Sequence, residues 1–113
     1  MVMALTPEKK VKNKCITLIK AYGVYYFFPS MNGFGRSGVP DIICCANGVF
    51  LGVECKAGKN EPTELQLLEM KKIRDAGGKT LVVNEENISE LEEILKELTN
   101  ENRGNEQGLA DIT

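Results

Sequence analysis

Along the first quarter of the chain, Val11, Cys15, Leu18, Ile19 and Tyr22 recur at the spacing of one helix face, while Lys9, Lys10, Lys14 and Lys20 fall on the opposite side. Thr6, Pro7 and Glu8 supply a cap, a first-turn proline and an acid that suits the helix dipole, and Gly23 supplies a stop. The spacing therefore predicts a helix over 7–22. Residues 24–28 are β-branched and aromatic and predict a strand; 29–38 form a glycine-rich loop. Two apolar runs, 41–46 and 49–56, flank Asn47-Gly48, the pair favoured in a two-residue hairpin turn because both central positions need positive φ. After a loop over 57–62, Thr63 and Gln66 have the spacing of a capping box, and the helix they open runs to Gly77-Gly78. A short strand follows over 79–84, then a helix capped by Asn87 or Ser89 with Ile88, Leu91, Ile94, Leu95 and Leu98 inward. Residues 99–113 are polar and aperiodic and are expected to be a disordered tail. The order is αβββαβα, an α/β domain over 1–98 with a mixed central sheet flanked by helices.

Composition narrows the function. With 113 residues, 42% hydrophobic and 27% charged, the chain has the size and make-up of one globular domain rather than a collagenous or wholly disordered protein. Its longest apolar stretches fall well short of the ~18 residues of a spanning helix. Lysines follow 1–6 where a signal peptide would continue with an apolar run, so a cytoplasmic location is expected. Histidine is absent, which excludes Ser-His-Asp and Cys-His catalysis and most zinc sites. Cys15, Cys44, Cys45 and Cys55 form no C-x-x-C pair and read as small buried hydrophobes. The net charge of -2 conceals an asymmetry: residues 1–84 carry 12 basic and 7 acidic side chains, residues 85–113 carry 2 and 9. A basic partner-binding surface on the first part is compatible with that total.

The hairpin carries the candidate chemistry. A two-residue turn at Asn47-Gly48 puts Ala46 opposite Val49, and by the same register Asp41 opposite Glu54. Like charges so placed destabilise a sheet unless something lies between them. Lys56 points to the same face as Glu54 and sits diagonal to Asp41, so two carboxylates and one ammonium converge. Two carboxylates with open positions suit Mg²⁺ or Mn²⁺, which would polarise a phosphoryl oxygen and acidify water; Lys56 would orient or deprotonate that water. The plainer alternative is an ordinary cross-strand Lys-Glu pair with Asp41 merely opening its strand. Glu8, on the apolar side of the first helix, has two open roles, as a further metal ligand or as a partner of the helix dipole. Gln66 likewise either closes the capping box or joins the site.

Pro40-Asp41, twelve intervening residues and then Glu54-Cys55-Lys56 resemble the motif of the PD-(D/E)XK nuclease superfamily, whose restriction-endonuclease-like core order αβββαβ agrees with the elements above. More narrowly, 38–42 (GVPDI), 52–58 (GVECKAG), 62–66 (PTELQ) and 76–78 (AGG) resemble the stand-alone VRR-NUC domains of phages and prophages, over roughly residues 6–98. The resemblance implies metal-dependent cleavage of DNA, with Asp41 and Glu54 as metal ligands, Lys56 as catalytic lysine, and Glu8 and Gln66 in support. It further implies that the Cys55 carbonyl ligates metal, that branched DNA such as a four-way (Holliday) junction is the substrate, and that the domain is a homodimer. The acidic last helix and tail lie outside the motif.

Lys9, Lys10, Lys14, Lys20, Arg36 and Lys59 are the candidate phosphate contacts. No organic cofactor and no membrane partner are expected. A noncatalytic nucleic-acid-binding or assembly module on the same fold is the alternative from another class. A sequence-specific restriction-type nuclease would need more chain for base readout. Five of the seven aromatic residues, Tyr22, Tyr25, Tyr26, Phe27 and Phe28, crowd one short segment. Alternation sends part of them outward, where a second subunit would cover them.

Overall fold

A computed structural model describes residues 5–30 and 36–112, those from 101 on as backbone. The elements are α1 (Pro7–Ala21), β1 (Tyr25–Phe27), β2 (Ile42–Ala46), β3 (Val49–Cys55), α2 (Glu64–Asp75), β4 (Lys79–Val83) and α3 (Ile88–Ile112). The order αβββαβα is the one the sequence predicts. The strands lie in the order β1-β2-β3-β4. The first two pairings are antiparallel and the third, reached through α2, is parallel.

Local chemistry explains the hairpin. Asn47 (φ 57) and Gly48 (φ 83) both occupy the left-handed region that a type I′ turn requires. Ala46 therefore pairs with Val49, and the register runs back to Ile42 opposite Val53. Alternation then divides the side chains between two faces. Ile42, Cys44, Ala46, Leu51, Val53 and Cys55 join Val11, Cys15 and Ile19 of α1 and Leu91, Leu95 and Leu98 of α3 in one core. The other face is partly covered by α2. There Gly52 leaves room for the Pro40 ring and Ile73: a Cβ on it would lie 2.9 Å from Pro40 Cγ and 3.1 Å from Ile73 Cδ1. Tyr25, Phe27 and Phe50 on this face stay exposed.

Two expectations differ in extent. The first strand is trimmed to Tyr25–Phe27. The last helix does not end near 98 but continues to Ile112, where a disordered tail was expected. Apolar periodicity reports packing, and the last buried position among the described residues is Leu98; the helical backbone continues to Ile112. Among the described residues no helix is long and apolar enough to cross a membrane.

Candidate active site

Asp41 precedes β2, Glu54 is the penultimate residue of β3 and Lys56 follows that strand. The end of the hairpin thus gathers all three, as the register requires. Asp41 Oδ2 accepts the Cys55 N–H at 2.9 Å, which holds the carboxylate across the end of β3. In an extended strand the N–H and C=O of one residue point the same way. The Cys55 carbonyl is therefore on the Asp41 side, beyond the last β2–β3 pair at Ile42 and Val53, while the next N–H, that of Lys56, turns to Val83 O at 2.9 Å.

Glu54 is only 2% exposed. Its Oε2 lies 3.4 Å from Lys56 Nζ, while Oε1 is buried with no hydrogen-bond partner. Such an atom is costly unless a cation or a proton satisfies it. Burial, followed by the charge of Asp41, pushes the Glu54 carboxyl up to about 7 against the opposing pull of Lys56. The orphan oxygen, the Asp41 carboxylate and the Cys55 carbonyl are hard oxygen donors, and this donor set fits a divalent cation such as Mg²⁺ or Mn²⁺.

The other sequence-predicted residues fall out differently. Glu8 is exposed at the start of α1 and adds its charge to the field at Glu54. Among the described residues no three His, Cys, Asp or Glu side chains form a group that could hold a metal, so any site here relies on two carboxylates plus backbone. Gln66 Oε1 accepts the Thr63 N–H at 2.9 Å and Thr63 Oγ1 accepts the Gln66 N–H at 3.2 Å. That is the capping box; the Gln66 amide nitrogen takes no part in it. Lys9, Lys10, Lys14, Lys20 and Lys59 are exposed. Arg36 pairs with the largely buried Glu69 at 3.2 Å, and Lys72 approaches the same carboxylate at 3.2 Å.

Three contacts escaped the sequence reading. Glu69 shares a helical stripe with Gln66 and Ile73, a signal the spacing does carry. Cys55 Sγ lies 4.0 Å from Cys15 Sγ, both fully buried, so the thiols join α1 to the strand that bears Glu54; no pattern in the sequence pairs them. Glu85 accepts the Gly58 N–H just after Lys56, again without a local signal.

Comparison with known proteins bears on the family. No protein-family model matches the chain. A curated relative named "Putative nuclease p44", from Acyrthosiphon pisum secondary endosymbiont phage 1, is 32% identical over 91 residues, which span 79% of this chain and 95% of the relative. A solved structure described as a VRR_NUC domain matches with a TM-score of 0.65 and 25% identity, over 81% of this chain and 97% of that one. With a relative so similar over nearly its whole length, the same fold as that domain, and the Asp41, Glu54 and Lys56 constellation at the hairpin's end, the chain belongs to the VRR-NUC family of nuclease domains.

Proposed function

We propose that this domain is a divalent-metal-dependent endonuclease that hydrolyses DNA phosphodiesters, selective for branched DNA such as a four-way junction and active as a homodimer. The observation that carries the reading is Glu54 Oε1, buried without a partner beside Asp41 and Lys56. Asp41, Glu54 and the Cys55 carbonyl would hold Mg²⁺ or Mn²⁺, with Glu8 supporting from α1. When bound, the metal supplies Lewis-acid polarisation of the phosphoryl oxygen and a more acidic water. Lys56, whose ammonium Glu54 holds at 3.4 Å, orients the attacking water. Gln66 contributes its amide nitrogen, and the exposed lysines with Arg36 contact phosphates. The dimer reading is supported by Tyr25, 69% exposed, and by Phe27 and Phe50, also exposed on the sheet face that α2 covers only in part.

The test is a nicking assay on linear duplex, flap, fork and four-way junction DNA with Mg²⁺, Mn²⁺ or EDTA, using Asp41→Asn as the control. Metal-dependent cutting of branched substrates by the wild type alone, with a light-scattering mass about twice the 12.5 kDa of one chain, is expected. Cleavage in EDTA, or retained by Asp41→Asn, would overturn the site. Binding without any cleavage would favour the noncatalytic module.

A further inference from the structure

Lys10 and Lys14 of α1 line a cavity of about 430 Å³ together with Leu5, Pro7 and Glu85 of the β4–α3 loop. Glu85 is an acid among residues expected to meet phosphates. Its carboxylate, though exposed, is occupied: both oxygens accept the Gly58 N–H, at 2.9 and 3.2 Å. Gly58 (φ +60) sits in a turn closed by the Asn60 N–H on Ala57 O at 3.1 Å, and the next residue is Lys59. Two residues before Gly58, the Lys56 N–H is held by Val83 O at 2.9 Å. The segment that leaves the active site is thus tied to the end of β4 at Val83 and again at Glu85. Backbone N–H groups, its own and then that of Gly58, keep the Glu85 carboxyl below its usual range, with the nearby Lys14 charge adding to the effect.

Without the tie, a glycine-containing turn would leave Lys59 free to sample many directions. With it, the turn that carries Lys59 is fastened to Glu85, which lines the same cavity as Lys10 and Lys14. Lys10 and Lys14 of α1 thus share a surface with Glu85, and Glu85 holds the turn that carries Lys59.

We propose that Glu85 is a positioning residue of the nuclease: it pins the turn that follows Lys56, so that Lys59 joins Lys10 and Lys14 in a single DNA-phosphate-binding surface. The proposal rests on the nuclease reading above and adds a residue to it. Simple electrostatics makes the opposite forecast, because deleting an acid from a basic surface strengthens DNA binding.

Glu85→Gln and Glu85→Ala separate the two. Glutamine loses the charge but keeps an oxygen for the Gly58 N–H; alanine loses both. Duplex affinity is measured by fluorescence anisotropy in EDTA over a series of salt concentrations, and single-turnover cleavage in Mg²⁺ at saturating junction DNA. Alanine is expected to bind roughly fivefold more weakly, with a salt slope shallower by about one phosphate contact, and to cleave more slowly even at saturation. Glutamine should stay within about twofold of wild type, and Lys59→Ala should add little to Glu85→Ala although it costs affinity alone. Unchanged melting temperatures would separate positioning from loss of fold. Alanine binding DNA as tightly as wild type, or glutamine proving as damaging as alanine, would overturn the proposal. If wild type cuts no DNA, the nuclease reading fails, and the affinity arm still decides the role of Glu85.

Discussion

Glu54→Gln should stabilise the metal-free protein, and its effect should vanish in mild acid. In the folded chain the Glu54 carboxyl is pushed from 4.5 up to about 7, chiefly by burial. Between those values the native state holds a proton that the unfolded chain has released, so stability falls as pH rises, by about 1.4 kcal/mol per unit. From pH 5 to pH 8 the loss amounts to roughly 3 kcal/mol. The attraction of Lys56 is already included in that value, so nothing further is subtracted. Glutamine mimics the protonated acid and escapes the penalty. At pH 8 in EDTA its melting temperature should therefore exceed that of wild type by on the order of 10 °C, and at pH 4.5 the two should nearly coincide. Mg²⁺ or Mn²⁺ should close the gap at pH 8 by stabilising wild type alone. Differential scanning calorimetry across pH 4.5–8.5, with and without metal, is the assay. A wild-type melting temperature flat over that range, or a variant less stable than wild type at pH 8, would refute the argument from the buried orphan oxygen.

Lys56→Ala should abolish cleavage yet still bind Mn²⁺ by calorimetry, because the ammonium pairs with Glu54 Oε2 and leaves Oε1 open; loss of Mn²⁺ affinity would make the lysine structural. Gly38→Ala should destabilise by about 2 kcal/mol or more, since φ is +85 and the new Cβ would lie 2.6 Å from the backbone oxygen of Leu65. A denaturant midpoint equal to wild type would contradict that close approach.

Much of the candidate site was legible because it is local. Asp41, Glu54 and Lys56 belong to one hairpin whose turn, Asn47-Gly48, dictates its own register, and a register assigns every side chain to a face. The same holds for the α1 stripe and for the Thr63–Gln66 capping box: each is set within one or two turns of chain. Sequence pattern also predicted the order of elements, because each change of period marks a change of backbone geometry.

What packing between distant segments decided was beyond that reach. How α1 crosses the sheet leaves Glu8 as an exposed charge felt at Glu54, and it sets Cys15 against Cys55, 40 residues away. Arg36 finds Glu69, 33 residues on, as its ion-pair partner. Glu85 reaches Gly58 across 27 residues of chain. The extension of α3 past Leu98 has no apolar stripe to announce it. Periodicity and turn chemistry are properties of neighbouring residues, so the sequence by itself determined the elements and the hairpin that bears the carboxylates. The burial that strands Glu54 Oε1 is a property of everything packed around it, and only the tertiary structure could decide it.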